Sequence, residues 1–470
     1  MRLTRRELIA GAAGGAIASA GIYELVDRLT RSPERAPALT LPPEQHLLES
    51  VRVVRDNGIE VVVPPLHHQL VTAKLRVGGS RRELQAAQSQ LEEALAGLER
   101  RFEPTPAGLG VTVAWGLPYF RRYVPDLAER YLPVDRRASK TKARPVRVLL
   151  EAIRFPSDPP ETILEQNDVA FLLRGDSLDH VAAGAKALFE ELDLFRPTSI
   201  RKGFAGGGFE GRQSLPKKMA LAAGVRGAEL VPDTAELFLG FTSTQKAGLG
   251  PPRIANLETL GYSDGGPGGY FVQGTSMHVS HIVEDLEGWY VNFAFAERVT
   301  TAFRPGLVVP EGTQTVRQGP QDVADEAMVR RDFRRNRAIG HSAAIQTASR
   351  LQRQVVGADR TVYPKGTAIP HRADFNTLDN PFFWSANPVR DAMGVEPAAG
   401  VHFVVFNPTS DDFHRNRLAM DGVLPDGTRL PFTPRDRGQG FNSVLRTTHR
   451  QNFLVPSRRH RSFPLAELLS

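Results

Sequence analysis

The chain contains no cysteine. That absence excludes disulfides, thiolate nucleophiles, iron–sulfur clusters and haem tethered through thioethers. Any metal must be held by histidine or carboxylate, or arrive inside a cofactor. Long hydrophobic runs are missing too: the one apolar stretch near the N-terminus is shorter and weaker than a membrane span requires. Charge of one sign is scarce. The net charge is only +7, with much of the excess at the two ends, in "MRLTRR" and "PSRRHRSF". No element alternates Lys and Arg with stacking aromatics, so a nucleic-acid partner is excluded. Ser214 and Ser276 lack a nucleophile elbow, and His68, His180 and His278 form no metal spacing such as H-E-x-x-H, which argues against a hydrolase. What remains is a chain of 470 residues with the apolar and charged fractions of a soluble globular protein, long enough for two ordinary domains.

The N-terminus reads "TRRELIAGAAGGAIASAGI". Arg5 and Arg6 precede a mildly apolar run rich in Ala and Gly, which resembles a twin-arginine export signal with Ala18-Ser19-Ala20 as its small-residue cleavage site. Gly11, Gly14 and Gly15 weaken the alternative of an amphipathic helix. Residues 1–30 are therefore assigned to a signal or anchor, and the protein is expected outside the cytoplasm, extracellular or in the cell envelope. An uncut leader would tether it to a membrane. The Pro-rich residues 31–45 read as a linker.

Beyond the linker, strands and helices alternate. "HQLVTAKLRV", "LGVTVAW" and "DVAFLLRG" have strand character, while "SRRELQAAQSQLEEALAGLERRF" and "LDHVAAGAKALFEELDLF" are amphipathic helices, the first with Leu84, Ala87, Leu91, Leu95 and Leu98 on one stripe. The second half repeats the theme: "ELFLGF", "GGYFVQGTSMHVSHIV" and "GVHFVVFN" as strands, "DEAMVRRDFRRN" and "SDDFHRNRLAMDG" as helices. This is an α+β pattern with helices packed on one face of a sheet.

Two stretches carry candidate chemistry. In "RKGFAGGGFEGRQSLPKK", Gly206, Gly208 and Gly211 satisfy G-x-G-x-x-G, but the preceding "RPTSIRK" is polar and Pro216 follows, so a dinucleotide fingerprint is rejected. The glycines instead permit positive φ and close approach of a flat ligand, and they present one acid, Glu210. In "RNRAIGHSAAIQTASRL", Ile339, His341, Ala344, Ile345, Ala348 and Leu351 recur at helical spacing and place an imidazole on or beside a buried face. His341 is either a hydrogen-bonded core histidine or the ligand of a metal that a cofactor carries.

Taken in order, these motifs resemble the dye-decolourising peroxidase family of haem enzymes. Gly207-Gly208-Phe209-Glu210-Gly211 is similar to the family's G-x-x-D-G turn, with Glu for Asp; "IGHSAAIQTA" is similar to its haem-ligand segment, and "IPHRADFNTLDNPFF" to its distal arginine segment. "GLGVTVAWGLPYF", "GGYFVQGTSMHVSHIVEDLEGW" and "AGVHFVVFNPTSDDFHRNRL" resemble further family elements. The resemblance implies two tandem ferredoxin-like domains of the dimeric α+β barrel type, residues 46–215 and 216–470. It implies haem b (iron protoporphyrin IX) as cofactor, hydrogen peroxide and an organic reductant as partners, and compatibility with a homo-oligomer. His341 would ligate iron, Glu210 shuttle the proton, and Arg372 stabilise developing charge, with Asp374 and Phe403 beside the cofactor. Asp411 or Asp412 would accept from the ligand imidazole. Phe382, Phe383, Phe403 and Phe406 would wall the pocket, and Trp289, Tyr290 and Trp384 are candidates to pass electrons outward. The gap of 372 − 341 = 31 residues exceeds the family's usual spacing, which makes His371 a competing ligand; His341 is favoured because Arg372 needs the His371 segment on the opposite side of the haem. Two rival readings keep the fold: a haem-carrying or haem-releasing protein with little peroxidase activity, and a cofactor-free interaction module.

Overall fold

In the computed structural model, which describes residues 41–56, 59–208, 212–241, 252–312, 323–379 and 397–470, the first strand-like run becomes β1 (His67–Leu75). The helix after it, α1 (Arg81–Arg101), buries the five residues that the spacing predicts, Leu84, Ala87, Leu91, Leu95 and Leu98. Each buried leucine contributes about 1.5–3 kcal/mol of apolar transfer energy. Ser80 and Glu83 close a capping box at its start: Glu83 N–H donates to Ser80 Oγ at 3.3 Å and Ser80 N–H to the Glu83 carboxylate at 3.2 Å. β2 (Gly110–Gly116), β3 (Val169–Gly175) and α2 (Leu178–Phe189) follow where the sequence indicates. The next strand, β4 (Phe195–Phe204), contains the polar "RPTSIRK" and so lacks an apolar signature: two of its buried positions hold Ser199 and Arg201, and its Ile200 is exposed.

These strands pair antiparallel in the order β4-β1-β3-β2, which with α1 and α2 makes a ferredoxin-like repeat. The second half comprises α3 (Leu215–Ala222), β5 (Thr275–Glu284), α4 (Leu286–Asn292), α5 (Glu326–Asn336) and α6 (His341–Ser349). It continues with β6 (His371–Arg372), β7 (Phe375–Thr377), β8 (Gly400–Asn407), α7 (Ser410–Met420) and β9 (Leu445–Val455). Its order, β9-β5-β8-β7, reproduces that of the first repeat. Two seams join the repeats: β9 to β2 (Leu454 opposite Trp115) and β7 to β4 (Asn376 opposite Phe204). Of the ten sheet strands, β6 and Ile163–Leu164 are side additions; the other eight close into a barrel. Leu70, Leu172, Met277, Val279, Val404, Phe406 and Phe453 fill its interior. Helices cover the outside: α1 and α2 on the first repeat, and α7 on the second, where Phe413 packs on Phe403 and Val405. The fold is thus α+β, two tandem ferredoxin-like repeats closed on one another.

Several local expectations differ. "ELFLGF" forms turns instead of a strand, with Gly240 at φ +83° and the carbonyls of Phe238 and Leu239 taken by Tyr290 and Trp289. β5 begins only at Thr275, because Gly268 and Gly269 lie in a turn before it. Both grounds for rejecting G-x-G-x-x-G fail. β4 does precede the glycines, and Pro216 lies in the first turn of α3, where a missing N–H is tolerated. The loop is nevertheless unsuited to a pyrophosphate: Cβ atoms on Gly206 and Gly208 would lie 2.6 and 2.7 Å from the carbonyl oxygens of Glu236 and Thr234. Those acceptors occupy the ground that a phosphate needs. Residues 1–40 lie outside the described residues, but the end of the expected linker is packed: Gln45 donates to the Pro456 carbonyl at 2.7 Å and accepts from Val113 N–H at 2.9 Å. No helix among the described residues is long and apolar enough to cross a membrane.

The C-terminal segment returns to the first repeat. Trp115 Nε1 donates to the Arg461 carbonyl at 2.8 Å, Tyr119 Oη to that of Pro464 at 2.9 Å, and the buried Phe463 ring lies 5.0 Å from Trp115. Phe463→Ala should therefore cost about 3–5 kcal/mol in denaturant unfolding although it sits near the chain end. A loss below about 1 kcal/mol would show that the tail is not part of this core.

Candidate functional site

His341 opens α6; it does not sit within a longer helix. Gly340 precedes it as N-cap, and a Cβ there would lie 2.3 Å from the Phe303 carbonyl oxygen, so the approach requires glycine. The buried positions of α6 are Ala343, Ala344, Gln346, Thr347 and Ser349, while His341, Ile345 and Ala348 are only half-buried. The imidazole therefore lies on the more open face, not on the core face. A loop staples its entry: Gly440 N–H donates to the Ile339 carbonyl at 3.0 Å, Ile339 N–H to Gln439 Oε1 at 3.1 Å, and the Phe441 ring sits 4.5 Å from the His341 ring. Nδ1 of His341 is buried without a hydrogen-bond partner among the described residues. Burial, then the charges of Arg372 and Arg417, push its pKa down to about 3. At neutral pH the ring is uncharged, the form that binds a metal.

Arg372 and His371 are adjacent on β6, and adjacent strand residues face opposite ways. Arg372 stands outside the barrel, opposite Val405, its guanidinium 5.8 Å over the Phe403 ring. Asp374 grips it at two points, Nε–Oδ1 at 2.8 Å and Nη2–Oδ2 at 2.5 Å, and raises its pKa further. His371 points inward, its ring 5.8 Å from His46 and 5.9 Å from Phe406. The electrostatics divide in the same way: the charge of Arg372 acts on His341, and that of Arg174 on His371. Arg372, Asp374, Phe403 and His341 thus share the outer side of the second repeat, and His371 does not.

Other expected participants stand elsewhere. Asp411 takes Arg415 at 2.6 Å and Arg137 at 3.2 Å, while Asp412 caps α7 and takes Arg137 at 2.7 Å. Neither accepts from His341. Phe406 faces the barrel interior, one residue out of phase with Val405, so it cannot wall the same pocket as Phe403. Trp289 is fully buried and Tyr290 bonds the Phe238 carbonyl, the positions of core residues. Glu210, Phe382, Phe383 and Trp384 lie outside the described residues.

One acid here escaped the sequence reading. Glu284 ends β5, and the two-residue period puts it on the outer face with Ser280, which pairs with Phe403. Its Oε2 is buried without a partner among the described residues, and burial together with the charge of Asp374 lifts its pKa to about 8. A neutral carboxyl beside a guanidinium–carboxylate pair is a functional-site signature. The sequence signal was its alternation with Ile282 at the strand end, hidden beside the helix-capping Asp285.

The residues fit a metal brought by a macrocycle. One neutral imidazole has an unpaired nitrogen, a guanidinium shares its side of the sheet, and aromatic rings flank both. Among the described residues no three His, Asp or Glu side chains form a metal cage. Solved structures agree on the architecture. The DyP-type peroxidase from Cellulomonas bogoriensis aligns with TM-score 0.50 and 17% identity over 89% of this chain and 94% of that one. The encapsulated DyP-type peroxidase from Mycobacterium smegmatis aligns at 0.47 and 13%, covering 86% and 96%. The dye-decolorizing peroxidase from Bacteroides thetaiotaomicron gives 0.47 and 13%, covering 89% and 98%. At such identities the likeness is one of fold, and it rests on the first of the three. The chain therefore has a DyP-type peroxidase fold. By sequence it belongs to a family of unknown function, DUF7405, whose model matches residues 65–457. No curated protein matches it.

The Glu284 proton gives a pH test. Its pKa is about 8 when folded and near the ordinary 4.5 when unfolded, so between those values the folded state holds the extra proton and stability falls as pH rises. Relative to Glu284→Gln, the wild-type melting temperature should drop steadily from pH 5 to 8 and level off above about pH 9. A difference that does not vary with pH would contradict the protonated acid.

Proposed function

We propose that this chain is an exported haem protein of the peroxidase type, using hydrogen peroxide to oxidise an organic donor. The observation that carries the reading is His341: a neutral imidazole with an unpaired buried nitrogen, opening α6 within the field of Arg372, on the outer side of a DyP-type fold. Haem b bound there would supply a redox-active iron for peroxide. His341 would hold it from the α6 side. Arg372 stays cationic and is fixed in orientation by Asp374, so it can bind peroxide and hold negative charge. Glu210 is assigned the proton shuttle, and the neutral Glu284 supplies a second exchangeable proton on the same face as Asp374. Arg5 and Arg6 support export by the twin-arginine route, which suits a protein that acquires its cofactor before leaving the cytoplasm.

A second reading, haem carriage with little turnover, is favoured by one pair of facts. Asp374 neutralises Arg372, and among the described residues no carboxylate accepts from His341 Nδ1 to make the ring more basic. Absorption spectra and turnover separate the readings. Protein from a haem-replete host should show a Soret band that His341→Ala abolishes and His371→Ala leaves in place. Arg372→Leu should keep the band and lose about 10²–10³-fold in peroxide-dependent oxidation. A retained band with only background oxidation by the wild type favours the carrier; no band in the wild type rejects both.

A further inference from the structure

The barrel interior contains a cationic side chain with no acidic partner. Arg174, on β3, is 4% exposed, and its Nη2 donates to the His46 carbonyl at 2.8 Å. Its Nε is buried with no acceptor among the described residues. Two other deeply buried arginines are compensated: Arg201 by Glu165 at 2.5 and 2.6 Å, and Arg450 by Asp158 at 2.6 Å. Among the described residues, Arg174 has no such carboxylate, and only burial perturbs it. A buried, unpaired charge is strongly disfavoured, so the compensation must come from elsewhere.

Its neighbours point to the same place. His68 is directly opposite Arg174 in the β1–β3 register. It is 2% exposed, stacks on Phe375 at 4.8 Å, and has no hydrogen-bond partner among the described residues at either ring nitrogen. His371 Nδ1 is likewise buried and unpartnered. The strand period aims all three inward, in phase with Leu70, Leu172 and Ala373 of the interior cluster. The charge of Arg174 acts on both rings.

We propose that Arg174, His68 and His371 form a binding site for a small monovalent anion of halide size inside the barrel. The donor arithmetic fits. A neutral imidazole has one N–H to give, so two rings and the guanidinium Nε–H supply three donors, and the net charge of the set is +1. A metal cation would meet the guanidinium charge, and a dianion would exceed it. Glu44, Gln45, His46 and Leu47 are all buried in the segment that supplies the Arg174-bound carbonyl, and Arg174 and His68 are buried with them, while His371 is half-buried at the edge. A site so shielded strips the anion of most of its hydration and prefers bromide or chloride to fluoride. This site faces away from Arg372 and stands whether or not the protein binds haem.

Crystals of the full chain grown in sodium bromide, with data collected at the bromine edge, test it. The expected result is an anomalous peak within hydrogen-bond reach of Arg174 Nε and of a ring nitrogen of His68 or His371. In solution, the wild-type unfolding midpoint should rise from gluconate to chloride to bromide at equal ionic strength. Arg174→Met should lose both the peak and the halide dependence. Should that variant fail to fold, His68→Phe keeps the guanidinium and should show a weakened halide dependence. Bromide found only at surface positions, or water at Arg174 with one midpoint in all three salts, would overturn the site.

Discussion

The structure depends on the two-residue alternation of strands in a closed barrel. Closure makes an inside and an outside that no side chain can exchange, and alternation sends consecutive residues to opposite compartments. On β6 this separates His371 from Arg372. On β8 it separates Phe406, packed within, from Phe403 and Val405, packed beneath α7. Each ferredoxin-like repeat alone would leave two strand edges unpaired; the β9–β2 and β7–β4 seams satisfy all four.

The two compartments use different electrostatics. Outside, Arg372 is tied to Asp374, His341 is held neutral, and Glu284 keeps its proton because it is buried and the Asp374 carboxylate is near. That set combines a coordinating nitrogen, a fixed positive charge and an exchangeable proton without a large net charge. Inside, Arg174 donates to a backbone carbonyl and its charge acts on the rings of His68 and His371. The helices decide which histidine meets the outer set. α6 begins at His341 because Gly340 admits the Phe303 carbonyl, and that start leaves the ring on the half-buried face of the helix, beside Phe441.

Much of the fold was legible in residue periodicity, and the losses have a common cause. α1 announced itself through a five-residue stripe because one face meets the sheet and the other meets water. β4 and β9 were missed because their buried positions hold Ser199, Arg201, Thr448 and Gln451, polar groups satisfied inside the protein and invisible to a hydrophobic pattern. "ELFLGF" misled for the opposite reason, as an apolar run that packs as turns under α4. At the candidate site, motif order suggested His341 and Arg372, and the strand phase adds that Arg372 and His371 face opposite ways. Glu284 has no motif; its significance comes from burial and from Asp374, a neighbour 90 residues away in the chain. The acceptors proposed for His341 failed because Arg137, remote in sequence, takes both Asp411 and Asp412.

The central claim is that a macrocycle-borne metal is held by His341 on the outer side of the second repeat. Iron anomalous diffraction from haem-reconstituted crystals addresses it most directly. The account predicts one iron peak at coordination distance from a His341 ring nitrogen, on the side of the sheet that carries Arg372. A peak at His371 inside the barrel, or crystals that take up no iron, would contradict it.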